Sequence, residues 1–291
     1  MKKILITGAN SYIGTFLEKK LQQMPEKYTV DTLNMIDPCW MDKDFSSYDA
    51  VFHVAGIAHS DTRKVSEEKK RLYYKVNTDL AVETARKAKA EGVTQFIFMS
   101  SIIVYGDSGK IGQTKMITKD TIPQPANFYG DTKLKAEKGI IPLADKNFKV
   151  AIVRAPMIYG KGCKGNYRIL SKYAKRFPLF PNIENQRSVL FIENLIEFIR
   201  LIIENDESGI FYPQNSEYLK TSELAQLIAE INGKKLKLLK VFNPFIIFFG
   251  KSISMVNKVF GNLCYEMKMS EYKMNYRLYN LCESIERTEQ D

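Results

Sequence analysis

Tyr129 and Lys133 stand four residues apart, an interval that puts two side chains on one face of a helix. An ammonium beside a phenol stabilises the phenolate and lowers its pKa from about 10. Such a pair can pass a proton to or from an oxygen near neutral pH. Tyr-x-x-x-Lys is common by chance and also describes a plain surface pair, so its setting matters. Ser100 and Ser101 close the apolar run Phe96–Met99. A serine hydroxyl at that place can polarise a reacting carbonyl, although Ser101 could equally cap a helix or sit in a turn. Near the N-terminus, Thr7-Gly8-Ala9-Asn10-Ser11-Tyr12-Ile13-Gly14 separates an apolar run from an amphipathic one. Small residues there let backbone approach a pyrophosphate, and a helix start supplies unpaired N–H groups. The spacing is G-x-x-S-x-x-G, with Ser11 in the middle small position. The alternative is an ordinary strand-to-helix turn.

These residues need a frame to hold them. Ile4–Thr7, Tyr28–Leu33, Val51–Ala55, Phe96–Met99 and Val150–Val153 read as strands, most of them apolar without alternation, as in strands buried on both faces. Between them, Asn10–Met24, Thr78–Glu91 and Tyr129–Ile141 carry helix-spaced apolar residues. The pattern predicts an α/β fold, a Rossmann-type doubly wound parallel sheet over residues 1–156, followed by a smaller C-terminal α/β substrate lobe over 157–291. Part of 187–205 is expected to pack back on the first domain. Ligands of such sheets bind beyond the strand C-termini, where the unusual residues lie. In the second half, Gly160, Gly162 and Gly165 mark a loop, and Pro178 and Pro181 bracket an irregular stretch. Glu193–Ile203 and Ser222–Ile231 read as helices, the second capped by Thr221, and Lys234–Val241 as a strand. Phe245–Phe249 reads first as a buried helix, and second as a partner or membrane-surface patch.

Composition bounds the function. In 291 residues, 45% are hydrophobic and 26% charged, as in a globular protein with a real core. The net charge of +10 reads as a solvated basic surface, and no segment looks like a nucleic-acid arm. Cys39, Cys163, Cys264 and Cys282 form no CxxC pair, and His53 and His59 are the only histidines. No metal site is expected, and reduced thiols suit a cytoplasmic protein. The first strand begins almost at once, which leaves no room for a signal peptide. No apolar run reaches the about 18 residues of a membrane span.

Taken together, Thr7–Gly14, Val51–Gly56 (VFHVAG), Asn77 in VNTDLA, Ser100–Gly106 (SSIIVYG), Tyr129–Lys133, Arg154–Gly160 (RAPMIYG) and Arg187–Leu195 (RSVLFIENL) resemble the extended short-chain dehydrogenase/reductase superfamily. The branch is that of the NAD-dependent epimerases and dehydratases. The resemblance implies Ser101, Tyr129 and Lys133 as the catalytic trio. It implies a cofactor bordered by Gly8, Ser11, Tyr12, Ile13, Gly14, Ala55, Gly56, Ser100, Tyr129, Lys133, Ala155 and Ile158. Asn166 and Arg187 match positions that hold a nucleotide diphosphate, with Ser101 and Tyr129 at the sugar; His53 is taken as structural. The second strand ends at Asn34, also counted with the cofactor. An asparagine there neither bars nor welcomes a 2′-phosphate, so NAD and NADP both stay open. A homodimer is expected by analogy.

Family dehydratases carry an Asp-Glu pair after the strand-end serine, whereas this chain has Ile102 and Ile103. Neither can carry a proton, which argues against dehydration. Reduction and epimerisation remain. Segments such as IPNIENQRS and KVFGNLCYEM resemble bacterial capsule and O-antigen reductases of UDP-4-keto-6-deoxy-N-acetylhexosamines. A redox-neutral UDP-sugar 4-epimerase is the alternative, and a non-catalytic nucleotide-binding protein a weaker one. The stereochemistry is expected to depend on loops around residues 60–75 and 160–185.

Overall fold

The computed structural model describes residues 1–58, 65–109, 111–241, 243–250 and 254–290. His59 and the first part of the 60–75 segment lie outside the described residues. The chain divides into two compact units and crosses between them repeatedly. The first comprises Met1–Gly106, Pro123–Ala155 and Leu195–Pro213. The second comprises Asp107–Ile122, Pro156–Asn194 and Gln214–Asp291.

The first unit is built on a six-stranded parallel sheet. From one edge to the other its strands are Gly209–Phe211, Lys149–Ala155, Gln95–Ser101, Ala50–His53, Lys2–Thr7 and Tyr28–Leu33. Every ladder is parallel. Ile4, Leu5, Val51, Phe52, Phe96 and Ile97 are fully buried, because helices cover both faces of a parallel sheet and leave the strands no polar side. The strand order reverses around Lys2–Thr7, whose neighbours lead to opposite edges. The C-terminal ends of Lys2–Thr7 and Ala50–His53 therefore flank the topological switch point.

Two helices depart from the sequence expectation. The first starts before residue 75: Glu67–Tyr74 is helical and continues through a π-helical turn, Lys75–Asp79, into the Leu80–Ala90 helix. EEKKRLYY has no apolar stripe, so periodicity is blind to it. Its signals are polar: the Ser66 hydroxyl accepts from Lys69 N, and Glu67 and Glu68 complement the helix dipole.

The second is Asn166–Arg176, in the second unit, which lies inside a stretch read as loop. Nearby, the Leu179–Pro181 strand replaces the expected irregular stretch and pairs in parallel with Lys237–Leu239. Thr221 is not a cap: Lys220 holds that position, Asn185 Oδ1 accepts from Thr221 N at 2.9 Å, and the Thr221 hydroxyl donates to Val259 O. Phe245–Phe249 is helical within Asn243–Gly250, but Phe245 and Phe248 are exposed, so the buried-helix expectation fails.

Candidate active site

The phosphate cradle follows directly from the strand-to-helix turn. Gly8 has φ +112°, a conformation that side chains resist, and a Cβ there would stand 2.7 Å from Ala55 N. Ser11 caps the Tyr12–Gln22 helix, its hydroxyl accepting from Gly14 N at 3.2 Å. A Cβ on Gly14 would stand 2.5 Å from that hydroxyl oxygen. A backbone approach that glycine permits at position 8 and a close side-chain approach at Gly14 thus frame the N-terminus of an 11-residue helix, the geometry that suits a dinucleotide pyrophosphate. Asn34 lies just beyond the second strand, exposed, and its Oδ1 accepts from Ile36 N.

The Phe128–Ile140 helix carries Tyr129, Lys133 and Glu137 at four-residue intervals. Asn127 caps it, accepting from Gly130 N at 3.0 Å. Gly130 brings its first turn against the turn that follows Ser101: a Cβ there would meet Ile103 O at 2.7 Å. Ser101 ends its strand, and its hydroxyl oxygen accepts from Ile103 N at 3.3 Å, which leaves its proton available to another acceptor. The capping role and the catalytic role are therefore compatible.

Lys133 is buried, donates to Met99 O at 2.8 Å and lies 4.6 Å from the centre of the Phe98 ring. Burial pushes its pKa down to about 8, against the opposing pull of Glu137. Burial pushes Tyr129 up to about 12, with Tyr73 adding to it. The Tyr129/Lys133 spacing predicts a lowered tyrosine; loss of solvation gives the opposite direction. Tyr129 is half-buried, and its ring meets Tyr73 edge-on.

Beyond Lys133, Glu137 receives the Arg154 guanidinium through Nε at 3.1 Å to both oxygens and Nη2 at 2.5 Å. Arg154 Nη1 also donates to the Tyr105 hydroxyl at 2.6 Å. Burial opposes the charge on Arg154 and Glu137 outweighs it, so the net shift is upward. The Ser100 hydroxyl donates to Glu137 as well. The Ser100 side chain is thus engaged within the fold. Glu137 itself was not singled out in the sequence; extending the Tyr129/Lys133 spacing by one more turn would have found it.

The π-helical turn places Asn77, fully buried, against the segment after the Ala50–His53 strand. Its Oδ1 accepts from Ile57 N at 2.7 Å and its Nδ2 donates to Ile57 O at 3.0 Å. A Cβ on Gly56 would lie 3.1 Å from Asn77 Oδ1 and 3.5 Å from Lys133 Nζ. One asparagine therefore fixes the Ala55–Gly56 backbone beside Lys133. π-turns of this kind are frequent at functional sites. His53 packs between the Phe96 and Phe98 rings, its Nδ1 2.8 Å from Thr7 Oγ1. Its Nε2 is buried without a hydrogen-bond partner among the described residues, and burial holds its pKa down to about 3.

Ser101, Tyr129, Lys133, Gly8 to Gly14, Ala55, Gly56 and Ala155 all belong to the first unit, while Ile158, Asn166 and Arg187 belong to the second. Ile158 lies on the Met157–Tyr159 strand, and Asn166 opens its helix, exposed. Arg187 Nη1 donates to Gly261 O at 3.0 Å and Ser108 Oγ at 3.3 Å, both neutral oxygens.

Comparison with known proteins agrees with this architecture. Residues 4–212 match the model of the NAD dependent epimerase/dehydratase family. The chain is 30% identical to a UDP-glucose 4-epimerase of Vibrio cholerae, over 95% of this chain and 90% of that protein. It is 24% identical to the N-acetyl-alpha-D-glucosaminyl-diphospho-ditrans,octacis-undecaprenol 4-epimerase of Escherichia coli O157:H7, over 89% and 81%. Among solved structures, RMD from Pseudomonas aeruginosa complexed with NADPH superposes with a TM-score of 0.76 at 16% identity, over 99% and 98% of the two chains, a likeness of fold. The chain belongs to the NAD dependent epimerase/dehydratase family and is an NAD(P)-dependent enzyme that acts as an epimerase or a reductase.

Proposed function

We propose that the protein interconverts the C4 epimers of a UDP-linked hexose or N-acetylhexosamine, with no net change in redox state. The observation that carries this reading is the 30% identity to a UDP-glucose 4-epimerase over nearly the whole chain. The cradle at Gly8, Ser11 and Gly14 and the Ala55–Gly56 backbone would hold the dinucleotide. When bound, its nicotinamide supplies the hydride acceptor and donor for C4. In its phenolate form Tyr129 would take the proton of the C4 oxygen as the ketone forms, and as the resulting phenol it would return that proton when the alcohol is rebuilt. Ser101 donates its free hydroxyl proton to that oxygen and holds it in place. Lys133 shares the helix face of Tyr129, and its pKa of about 8 lets it carry charge or release a proton near neutral pH. Asn166 and Arg187 are assigned to the diphosphate, for which a planar fork of donors is suited.

A second reading, reduction of a UDP-4-keto-6-deoxy-N-acetylhexosamine, is favoured by the segments IPNIENQRS and KVFGNLCYEM, which resemble reductases of such ketosugars. One pair of assays separates them. Purified protein is given UDP-N-acetylglucosamine or UDP-glucose with NAD, and the 4-epimer is followed by NMR. In parallel it is given UDP-4-keto-6-deoxy-N-acetylglucosamine with NADH or NADPH, and absorbance is followed at 340 nm. Epimer formation without cofactor turnover is the expected result. Ketosugar-dependent loss of absorbance without any epimer would overturn the epimerase in favour of the reductase.

A further inference from the structure

The basic excess of the chain is concentrated. Residues Pro156–Ile183 contain six lysines and arginines and no acidic residue; Ile231–Tyr265 contain six lysines and no acidic residue. Together these exceed the net charge of +10 for the whole chain, so the remainder is close to neutral. The fold joins the two stretches, because the Leu179–Pro181 strand lies in parallel register with Lys237–Leu239.

The same stretches expose large apolar side chains beside the cations. Phe245 is 66% exposed, Phe248 70% and Ile169 68%, and Tyr173, Phe177 and Leu179 are exposed as well. Tyr173 and Phe177 stack with ring centres 4.5 Å apart, and the Arg176 guanidinium lies 5.7 Å over the Phe177 ring. Tyr173, Phe177, Leu179, Phe180, Phe245 and Ile246 line a cleft of about 460 Å³. Arg168, Lys172, Arg176 and Lys237 are exposed on the same elements, and Lys240, also exposed, directly follows the Lys237–Leu239 strand. Lys175 is not part of this set, being paired with Glu289 at 2.6 Å.

We propose that this face of the second unit docks on the surface of an anionic phospholipid bilayer. Exposed aromatics would enter the boundary between headgroups and acyl chains, and the lysines and arginines would meet the lipid phosphates. Apolar side chains interleaved with cations are what an interfacial surface requires. Charge selects this occupant over a second copy of the chain. Two such faces set against each other would oppose like charges, which is costly. The attachment is to the surface, since no helix among the described residues is long and apolar enough to cross a membrane. It does not depend on which C4 chemistry the enzyme performs.

The test is co-sedimentation of the full chain with vesicles of phosphatidylglycerol and phosphatidylethanolamine, beside vesicles of phosphatidylcholine alone. Binding to the anionic vesicles, weakened by salt, is the expected result. Removing two surface cations with Lys237→Gln and Lys240→Gln should weaken it about 25-fold, at roughly fivefold per charge. These two residues are exposed, so the variant should keep its fold; NAD binding checks this without substrate. Phe177→Ser with Phe245→Ser should weaken binding more than tenfold. Equal binding to neutral vesicles, no binding to anionic ones, or binding that ignores both variants would overturn the proposal. A dimer lost in Phe177→Ser with Phe245→Ser, without vesicle binding, would assign the face to a second copy instead.

Discussion

In the first unit, charged and polar side chains have gone inside: Lys133, Glu137, Arg154, Asn77 and His53 are all buried. In the second, around residues 166–181 and 237–248, phenylalanines and a tyrosine have stayed outside. Both arrangements invert the usual preference and both cost free energy. They differ in how the cost is met. Inside, the groups compensate one another: Glu137 accepts from Arg154 and Ser100, Lys133 donates to a backbone carbonyl, and Asn77 clamps Ile57. Outside, the exposed rings keep much of their surface in water. The inner inversion is therefore answered by the fold itself, whereas the outer one calls for an external surface. Substitutions on the two sides should differ accordingly.

The largest effect is expected at Tyr129. Tyr129→Phe removes the proton carrier and leaves the ring contacts, so turnover should fall about 10²- to 10⁴-fold with NAD binding retained. Steady-state assays and cofactor titration check both halves, and near-normal turnover would remove the helix stripe from the chemistry. Next comes Arg154→Met. It leaves Glu137 buried with its principal cation gone, at a cost of roughly 3–5 kcal/mol in denaturant unfolding. The double change Arg154→Met with Glu137→Leu should recover much of that loss, because no unpaired charge remains. If the double variant is as unstable as the single one, the penalty lies in packing and not in charge.

A smaller, pH-dependent effect is expected at His53. Its native pKa of about 3 lies below the unfolded value near 6.5, so the native histidine stays neutral while the unfolded one gains a proton. Stability should therefore fall as the pH drops from about 6.5 towards 3, by an upper limit of roughly 5 kcal/mol at the acid end. His53→Leu removes the titrating group and should flatten this limb, as read from melting temperatures between pH 7 and 4. An unchanged acid limb would mean that other groups dominate it.

Most of the first unit could be read from the sequence, for physical reasons. Strands buried on both faces are continuously apolar, and helices packed on a sheet carry an apolar stripe. Ile4–Thr7, Phe96–Met99 and the Tyr129 helix follow these rules. The cradle was legible because glycine is the residue that tolerates such close approach. What escaped were elements whose packing is polar or reversed. Glu67–Tyr74 is held by capping and charge, and Asn166–Arg176 exposes Ile169 and Tyr173. Phe245–Phe249 was assigned to the interior by its composition, since composition reports preference for burial and not the partner that supplies it. The direction of the Tyr129 shift also escaped, because spacing shows which charge is near and not how much water has been removed. That the two basic stretches adjoin was not legible, because the pairing of Leu179–Pro181 with Lys237–Leu239 is visible only in three dimensions.

The smallest expected effect on folding separates the two regions most directly. If the outer aromatics served the core, Phe245→Ser would cost several kcal/mol, as large-to-small changes in a packed interior do. With two-thirds of Phe245 already exposed, little burial is lost, and the change in unfolding free energy should stay within about 0.5 kcal/mol, the range of ordinary surface substitutions. Turnover of a soluble UDP-sugar should also be unaffected, since Phe245 is not among the residues assigned to the reaction. A loss of stability comparable to Arg154→Met would show that the Asn243–Gly250 helix is buried in solution, and would return it to the reading that composition alone suggested. Unchanged stability would leave the exposed rings needing a surface outside the chain, because the energy that keeps them in place would not come from its own core.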